Sequence, residues 1–255
     1  MSIQQVYDSL EINGFVILRQ MIQVSDQRFE IIKDLQSHSH SDGDGEIKSL
    51  DPMPNLLNRQ DLAHHFDFLS NSPLSLLLAH LYTMKRNHSP VMDHDPSFDL
   101  DMHNQIIPHC STPVSSIPFK WLRAVPTGLF TGIHLDRVYF RHHPSLITSW
   151  IPLGNMTRYH GSLILVPKSH TDPKLEPLRQ GYGSTNVGSD GTASGWLDPE
   201  SLNHYNLDWV GGEYQLGDVV LVGLDTLHRS LPNQSSQWRL SCEIRWLDPE
   251  TEMRS

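Results

Sequence analysis

Two residues able to bind a metal, His134 and Asp136, lie two positions apart in the segment Thr-Gly-Ile-His-Leu-Asp-Arg at 131–137. If this segment is a β-strand, both side chains point to the same face, because successive side chains on a strand alternate. A second imidazole, His228, ends an apolar run of strand type. Two imidazoles and one carboxylate, with coordination positions left open, are the ligands preferred by non-haem Fe(II) oxygenase sites. We therefore predict a metal centre at these three residues.

Two further polar residues are expected close to this centre. Ser230 follows His228 by two positions and so shares its face of the strand. Arg239 lies on the next predicted strand, and an antiparallel return can place it beside the metal. A planar guanidinium suits bidentate binding of a carboxylate. Arg239 is thus a candidate for holding a carboxylate ligand.

The elements that must position these residues are mainly short strands. Apolar runs rich in Val, Ile, Leu and Trp, separated by turn residues, predict strands at 15–18, 119–125, 146–153, 162–166, 218–224 and 238–246. Amphipathic or apolar spacing predicts helices at 2–12, 26–36 and 73–84. Segments without periodicity predict an exposed loop at 37–45, a long loop at 86–118 and an insertion between strands at 179–212. The fold class expected is mainly β with flanking helices, with an antiparallel barrel or jelly roll as its core.

We expect one domain over residues 1–255 of the 255-residue chain. In this organisation, residues 1–118 supply the N-terminal helices, first strands and a loop over the site. Residues 119–247 form the jelly-roll core with the insertion at 179–212.

Composition narrows the range of partners and compartments. The formal net charge of −10 argues against nucleic acid, which requires a basic surface. The two cysteines, Cys110 and Cys242, are too few for a disulfide framework and indicate free thiols in a reducing compartment. The N-terminus has no signal-peptide pattern, and no apolar run reaches the roughly 20 residues that span a bilayer. We expect a cytoplasmic protein without a membrane partner, and its oligomeric state is left open.

Five sequence blocks resemble the phytanoyl-CoA dioxygenase family of Fe(II)- and 2-oxoglutarate-dependent oxygenases. They are Lys-Trp-Leu-Arg-Ala-Val-Pro at 120–126, Thr-Gly-Ile-His-Leu-Asp-Arg-Val-Tyr at 131–139, Ser-Trp-Ile-Pro-Leu at 149–153, Gly-Ser-Leu-Ile-Leu-Val-Pro-Lys-Ser-His at 161–170, and His228 with the later Arg-Leu-Ser-Cys at 239–242. The resemblance implies a double-stranded β-helix core of the jelly-roll or cupin type. It also implies Fe(II), 2-oxoglutarate as cosubstrate, and O2.

Carried over residue by residue, the resemblance makes His134, Asp136 and His228 the iron ligands. It makes Arg239, helped by Ser230, the partner of the distal carboxylate of 2-oxoglutarate. Trp150 matches a tryptophan that lines the cosubstrate pocket, and Thr131 is placed beside the same site.

The chain departs from the family pattern at a turn and a rim. His160-Gly161 stands where the family has Asn-Gly, and Lys168 replaces a glycine. The carboxylate position keeps Asp136, whereas halogenating relatives carry a small residue there. The activity implied is hydroxylation, desaturation or a related oxidation of an unactivated C–H bond, with release of succinate and CO2. The expected substrate is a small organic molecule, such as a natural-product or secondary-metabolism intermediate.

Two other functions stay open on the sequence. The first is a catalytically silent jelly-roll protein that binds a ligand or partners an active paralogue. Intact metal ligands weigh against it, because a silent site usually loses them. The second is zinc-dependent hydrolysis, which uses the same ligand types. It leaves Arg239 without a role and needs a general base that the sequence does not identify.

Overall fold

A computed structural model describes residues 1–38, 60–87, 114–182 and 195–253. The N-terminal part is helical, with α1 at Ile3–Asn13, α2 at Ser25–His38, a 3-10 helix at Gln60–Asn71 and α3 at Pro73–Asn87. Helix α1 begins with a capping box between Ser2 and Gln5 and ends at Gly14, whose φ of 83° is left-handed. Helix α3 begins with a proline and buries leucines at helical spacing, so one apolar face drives it onto the sheet.

Every strand pairing among the described residues is antiparallel. The strands are β1 Phe15–Leu18, β2 Ser115–Ser116, β3 Trp121–Val125, β4 Ile147–Pro152, β5 Leu163–Leu165, β6 Val210–Gly211, β7 Val219–Gly223, β8 His228–Ser230 and β9 Arg239–Leu247. The larger sheet has the order β1-β7-β4-β9-β2, with β3 also pairing with β9. The smaller sheet has the order β6-β5-β8.

The outer face of the larger sheet forms the main hydrophobic core with the helices. Strand β9 contributes Leu240, Cys242, Ile244 and Trp246, which alternate along it. Helices α1 and α3 and the 3-10 helix pack against this face, and α3 alone contributes four fully buried leucines, at 74, 77, 78 and 81. Burial of this apolar surface fixes the sheet against the helical layer.

The inner face of the larger sheet packs on the smaller sheet. Phe15, Trp150, Val220 and Val222 from the larger sheet share one cluster with Leu163 and Leu165 from the smaller one. Two antiparallel sheets packed in this way form a jelly roll, which confirms the fold class predicted from the sequence. The described fold also contains three short α-helices, α4 at Arg137–Phe140, α5 at Glu176–Gly181 and α6 at Pro249–Glu252, and short 3-10 helices that include Arg158–His160 and Pro173–Leu175.

The insertion expected between strands at 179–212 contains regular structure of its own. Its described part contains a 3-10 helix at Glu200–Tyr205 and strand β6, which is an edge of the smaller sheet. Leu197 also forms an isolated bridge with Ile133. Short two-residue pairings of this kind leave no alternating pattern in a Gly- and Asn-rich sequence, so the sequence suggested a loop.

Several expectations fall where the structure gives no description. Residues 39–45 of the loop expected at 37–45, most of the loop expected at 86–118, and Cys110 lie outside the described residues. Cys242 is buried and free, as expected. No helix in the described ranges has the length and apolarity to cross a bilayer.

Candidate metal centre

The structure brings His134, Asp136 and His228 together. Their nearest nitrogen and oxygen ligand atoms lie within 4.8 Å of one another, and all three residues are buried. His134 and His228 face each other across an isolated β-bridge, with backbone hydrogen bonds of 3.0 and 3.1 Å and ring centroids 4.2 Å apart. Three ligand atoms at this spacing can hold one metal ion.

The position of Asp136 differs from the expectation that it shares a strand with His134. The chain leaves the β-bridge after His134, and Asp136 takes helical torsion angles of −62° and −23° directly before α4. Its carboxylate makes no capping hydrogen bond to that helix. It instead approaches the imidazoles, with 3.8 Å between His134 Nε2 and Asp136 Oδ1. The prediction that His134 and Asp136 lie close together is correct, but the reason given for it, alternation along one strand, is wrong. The turn into α4 brings the two side chains together.

Each histidine is oriented by a backbone carbonyl two residues earlier. His134 Nδ1 lies 2.8 Å from the carbonyl oxygen of Gly132, and His228 Nδ1 lies 2.8 Å from that of Thr226. A carbonyl oxygen can only accept a hydrogen bond, so each Nδ1 carries the proton. In the neutral form of each ring, Nε2 then carries the lone pair that a metal would use, as in metal sites where a second partner fixes the ring.

The carboxylate of Asp136 has two unlike oxygens. Oδ2 accepts a hydrogen bond of 2.5 Å from the hydroxyl of Thr148. Oδ1 is buried and accepts no hydrogen bond within the described part of the chain. A buried acceptor without a donor is costly unless a cation or ligand supplies one. Together with two free imidazole nitrogens, it fits a divalent transition metal.

The charges around the centre keep these groups in their metal-binding forms. Burial and the neighbouring His228 lower the pKa of His134 to about 3, so its ring is neutral at physiological pH. Burial alone would raise the pKa of Asp136, but the charge of Arg245 and the other neighbours outweighs it. The pKa of Asp136 is therefore lowered. A neutral imidazole and an ionised carboxylate are the protonation states that bind metals.

Arg239 and Ser230 lie on different sheets but meet inside the fold. Arg239 Nη2 lies 3.4 Å from Ser230 Oγ, and Nη1 donates to Ser241 Oγ at 2.9 Å. Ser230 Oγ also accepts a 2.6 Å bond from the backbone of Thr131. Strand β9 pairs with β3 and β4, so Arg239 reaches Ser230 across the interior and not as its hairpin neighbour.

Arg239 is a buried cation that forms no ion pair with any described residue. Its Nε has no hydrogen-bond partner among the described residues. Burial and the nearby charge of Arg123 lower the pKa of Arg239 to about 10, which still leaves it charged at neutral pH. Such a group calls for an anionic ligand.

One cavity is lined by both candidate ligand histidines and by Arg239. The space between its lining atoms, open solvent included, is about 370 Å³. The predicted site residues in its lining are His134, His228, Thr131, Trp150, Ser230 and Arg239. Asp136 is not in the lining, but it accepts a hydrogen bond from the lining residue Thr148. Trp150 forms an apolar wall with Leu163 and Val222.

Sequence reasoning missed a line of polar residues on the inner face of β9. Ser241, Glu243 and Arg245 follow Arg239 at every second position, and all are buried. Thr148, which bonds Asp136, lies opposite Arg245 in the β4–β9 register. The alternation of polar and apolar residues over 239–246 was the available signal. This alternation predicts a strand with one solvent-exposed face, unless a second sheet is known to cover that face.

A jelly roll that buries two imidazoles and a carboxylate around one point has the donor set of non-haem Fe(II) oxygenases. The chain belongs to the phytanoyl-CoA dioxygenase family, whose model matches residues 79–241. This confirms the family resemblance seen in the sequence, and His134, Asp136 and His228 can form the iron site. No curated protein matches the sequence.

Solved structures share the fold at low sequence identity. EctD from S. alaskensis, determined with 2-oxoglutarate and 5-hydroxyectoine, has 13% identity and a TM-score of 0.58, over 98% of this chain and 77% of its own. The non-haem α-ketoglutarate-dependent carbocyclase SnoK from nogalamycin biosynthesis has 14% identity and a TM-score of 0.58, over 97% and 86%. The epimerase SnoN, in complex with Fe3+, α-ketoglutarate and nogalamycin RO, has 14% identity and a TM-score of 0.50, over 96% and 83%.

Proposed function

We propose that this protein is an Fe(II)- and 2-oxoglutarate-dependent dioxygenase that hydroxylates or otherwise oxidises a C–H bond of a small organic substrate. The observation that carries the proposal is a single cavity with two different ends. One end is lined by His134 and His228, whose ring nitrogens lie near the Asp136 oxygen that accepts no hydrogen bond, and the other end is lined by the buried cation of Arg239. A metal ion and a dicarboxylate satisfy the two ends together.

At the metal end, His134, Asp136 and His228 would supply three ligands to an Fe(II) ion. The hydrogen bonds of the two imidazoles to backbone carbonyls hold both rings in place before the metal arrives. When bound, iron together with 2-oxoglutarate and O2 would supply the oxidising chemistry that yields succinate and CO2.

At the other end, Arg239 would bind the distal carboxylate of 2-oxoglutarate. An unpaired buried ion costs several kcal/mol, and the carboxylate would offset that cost by pairing with the guanidinium. Ser230 Oγ lies beside Nη2, and the backbone of Thr131 fixes this hydroxyl, so the donors are already oriented. This arrangement favours a dicarboxylate over a monocarboxylate.

The wall between the two ends is apolar. Trp150 is held by the ring of Tyr214, with centroids 5.0 Å apart, and lies beside Leu163 and Val222. Side chains of this kind exclude water from the space beside the metal, which strengthens the electrostatic interactions there. We assign Trp150 the role of shaping the cosubstrate pocket.

The substrate class we propose is a small natural-product or secondary-metabolism intermediate. The structural neighbours from nogalamycin biosynthesis and the EctD complex with 5-hydroxyectoine support small organic substrates. The net charge of −10 weighs against nucleic acid. Because position 136 retains its carboxylate, we favour hydroxylation or desaturation over halogenation.

Formation of succinate from 2-oxoglutarate tests the proposal. Purified protein would be incubated in air with Fe(II), ascorbate and 2-oxoglutarate, alone and with a panel of small natural products. We expect iron-dependent succinate, stimulated by some members of the panel and lost in Asp136→Ala. The matched control is Asp8→Ala, an exposed aspartate on α1, which should behave as wild type. Equal succinate formation by Asp136→Ala would contradict the assignment. Iron binding without succinate under every condition would favour the silent binding protein.

A further inference from the structure

The two oxygens of Asp136 are kept in different states by its neighbours. Thr148 donates a 2.5 Å hydrogen bond to Oδ2, and both residues are almost fully buried. Oδ1 accepts no hydrogen bond from the described residues, although Arg245 Nη2 lies only 3.8 Å away. Of the two oxygens, Oδ1 is thus the one left for a metal.

A gap of 3.8 Å between a buried guanidinium and a buried carboxylate requires an explanation. Charge-assisted hydrogen bonds between such groups usually close to about 2.7–2.9 Å. If Arg245 closed on Asp136, it would occupy the oxygen that the metal needs. Some other contact must therefore hold Arg245 back.

Glu243 and Trp121 provide that contact. Arg245 Nη2 donates to Glu243 Oε2 at 2.8 Å, and its guanidinium lies 3.8 Å from the centroid of the Trp121 ring. Glu243 is held in turn by Arg123, whose Nε and Nη2 both donate to its carboxylate. The charges alternate in sign from Arg123 through Glu243 and Arg245 to Asp136.

The strand register explains why these groups meet. Thr148 lies opposite Arg245 between β4 and β9, and Trp121 lies opposite Glu243 between β3 and β9. Directly paired residues on antiparallel strands share a face. The restraints on Arg245 therefore come from the rigid inner face of the larger sheet and not from a mobile loop.

We propose that Thr148 and Glu243 are positioning residues that keep Asp136 Oδ1 free for metal binding. Thr148 occupies Oδ2, and Glu243 holds Arg245 away from Oδ1. This inference rests on the metal site of the proposed function. In this proposal, Arg245 would compete with the metal for Asp136 Oδ1 if Glu243 did not restrain it.

Binding of Ni²⁺ alone to the metal-free full-length protein, measured by calorimetry without 2-oxoglutarate, tests the role of Thr148. Loss of a second-layer contact typically weakens metal affinity by about 10- to 100-fold. Thr148→Val, which removes only the hydroxyl function, should show a loss of about tenfold or more. Thr148→Ser, which retains the hydroxyl, should restore affinity to within about threefold of wild type. Thermal unfolding of each metal-free variant shows whether it is folded.

Glu243 is tested by a pair of variants. Glu243→Gln releases Arg245 and should weaken Ni²⁺ binding by about tenfold or more. Adding Arg245→Gln removes the competitor, so the double variant should regain most of the lost affinity. A merely structural role for Glu243 predicts the opposite, because the second substitution would then add to the damage.

The outcomes separate this inference from the function it rests on. If wild type and Asp136→Ala bind Ni²⁺ equally weakly, the metal site is absent and both proposals fail. If wild type binds but Thr148→Val and Glu243→Gln bind equally tightly, the metal site stands and the positioning roles are overturned. If Thr148→Val does not fold, the Glu243 pair decides: recovery in the double variant supports the proposal, and further loss overturns it.

Discussion

Replacement of Arg239 by methionine separates ligand binding from folding. Arg239 is buried, forms no ion pair within the described residues, and hydrogen-bonds only to serine hydroxyls. Exchange of a buried ion for an apolar side chain of similar size is often neutral or stabilising by about 1–4 kcal/mol. Loss of the two serine contacts opposes that gain at about 1.5–3 kcal/mol each. The midpoints of the two ranges, about 4.5 kcal/mol lost against about 2.5 kcal/mol gained, leave the metal-free variant about 2 kcal/mol less stable than wild type.

The response to 2-oxoglutarate should change far more. Truncation of one partner of a buried charged pair costs about 2–5 kcal/mol, which is roughly a 30- to 5000-fold loss of affinity. A ligand at 100 times its Kd stabilises the folded protein by about 2.7 kcal/mol, or about 5–11 °C in Tm for a chain near this size. With a 30-fold weaker Kd, the same concentration gives about 0.9 kcal/mol, or roughly 2–3 °C.

The assay is thermal unfolding of the Ni²⁺-loaded protein with and without 2-oxoglutarate. Wild type and the control Arg158→Met, an exposed arginine at the surface, should show the full shift. Arg239→Met should show a third of it or less. If Arg239→Met responds to 2-oxoglutarate as wild type does, the assignment of Arg239 as the carboxylate partner is refuted.

Three further predictions concern stability. The pKa of His134 is about 3 in the folded protein against 6.5 ordinarily, so the unfolded chain binds more protons between these values and stability falls as pH falls. Between pH 7 and pH 5, metal-free wild type should lose about 2 kcal/mol more than His134→Gln in urea unfolding, and equal losses would contradict this. Leu78→Ala, on the buried face of α3, should cost about 2–5 kcal/mol in the same assay, whereas a cost below about 1 kcal/mol would show that the helix is loosely packed. Gly14→Ala should lose more than about 1 kcal/mol, because φ is +83° and the added Cβ would clash with Thr226 Oγ1. An unchanged melting temperature would contradict this.

Much of the candidate metal centre could be predicted from residue types. His228 and Ser230 share the inner face of β8, as alternation required, and Arg239 begins a strand that reaches the same cavity. The strand and helix predictions agree with the observed elements to within a few residues, because both apolar periods are clear in the sequence. The division into one domain stays a prediction.

The contacts that bring the site residues together were harder to predict than the identities of those residues. Asp136 meets His134 through a turn into α4, and a turn of this kind has no distinctive sequence in Leu-Asp-Arg. Arg239 meets Ser230 across two packed sheets, which depends on the packing of the whole core. Thr148, Glu243 and Arg245 were missed because alternation identifies the polar face of a strand but not whether another sheet buries it.

An anaerobic spectroscopic titration tests the central claim most directly. Fe(II) and 2-oxoglutarate would be added, separately and together, to metal-free wild type, Asp136→Ala and Arg239→Met. We expect a visible charge-transfer band in wild type only when iron and 2-oxoglutarate are both present, with one equivalent of each at saturation. Asp136→Ala should show no band. Arg239→Met should need a much higher concentration of 2-oxoglutarate before the band develops. The absence of a band in wild type with both components bound, or an equal band in Asp136→Ala, would contradict the account.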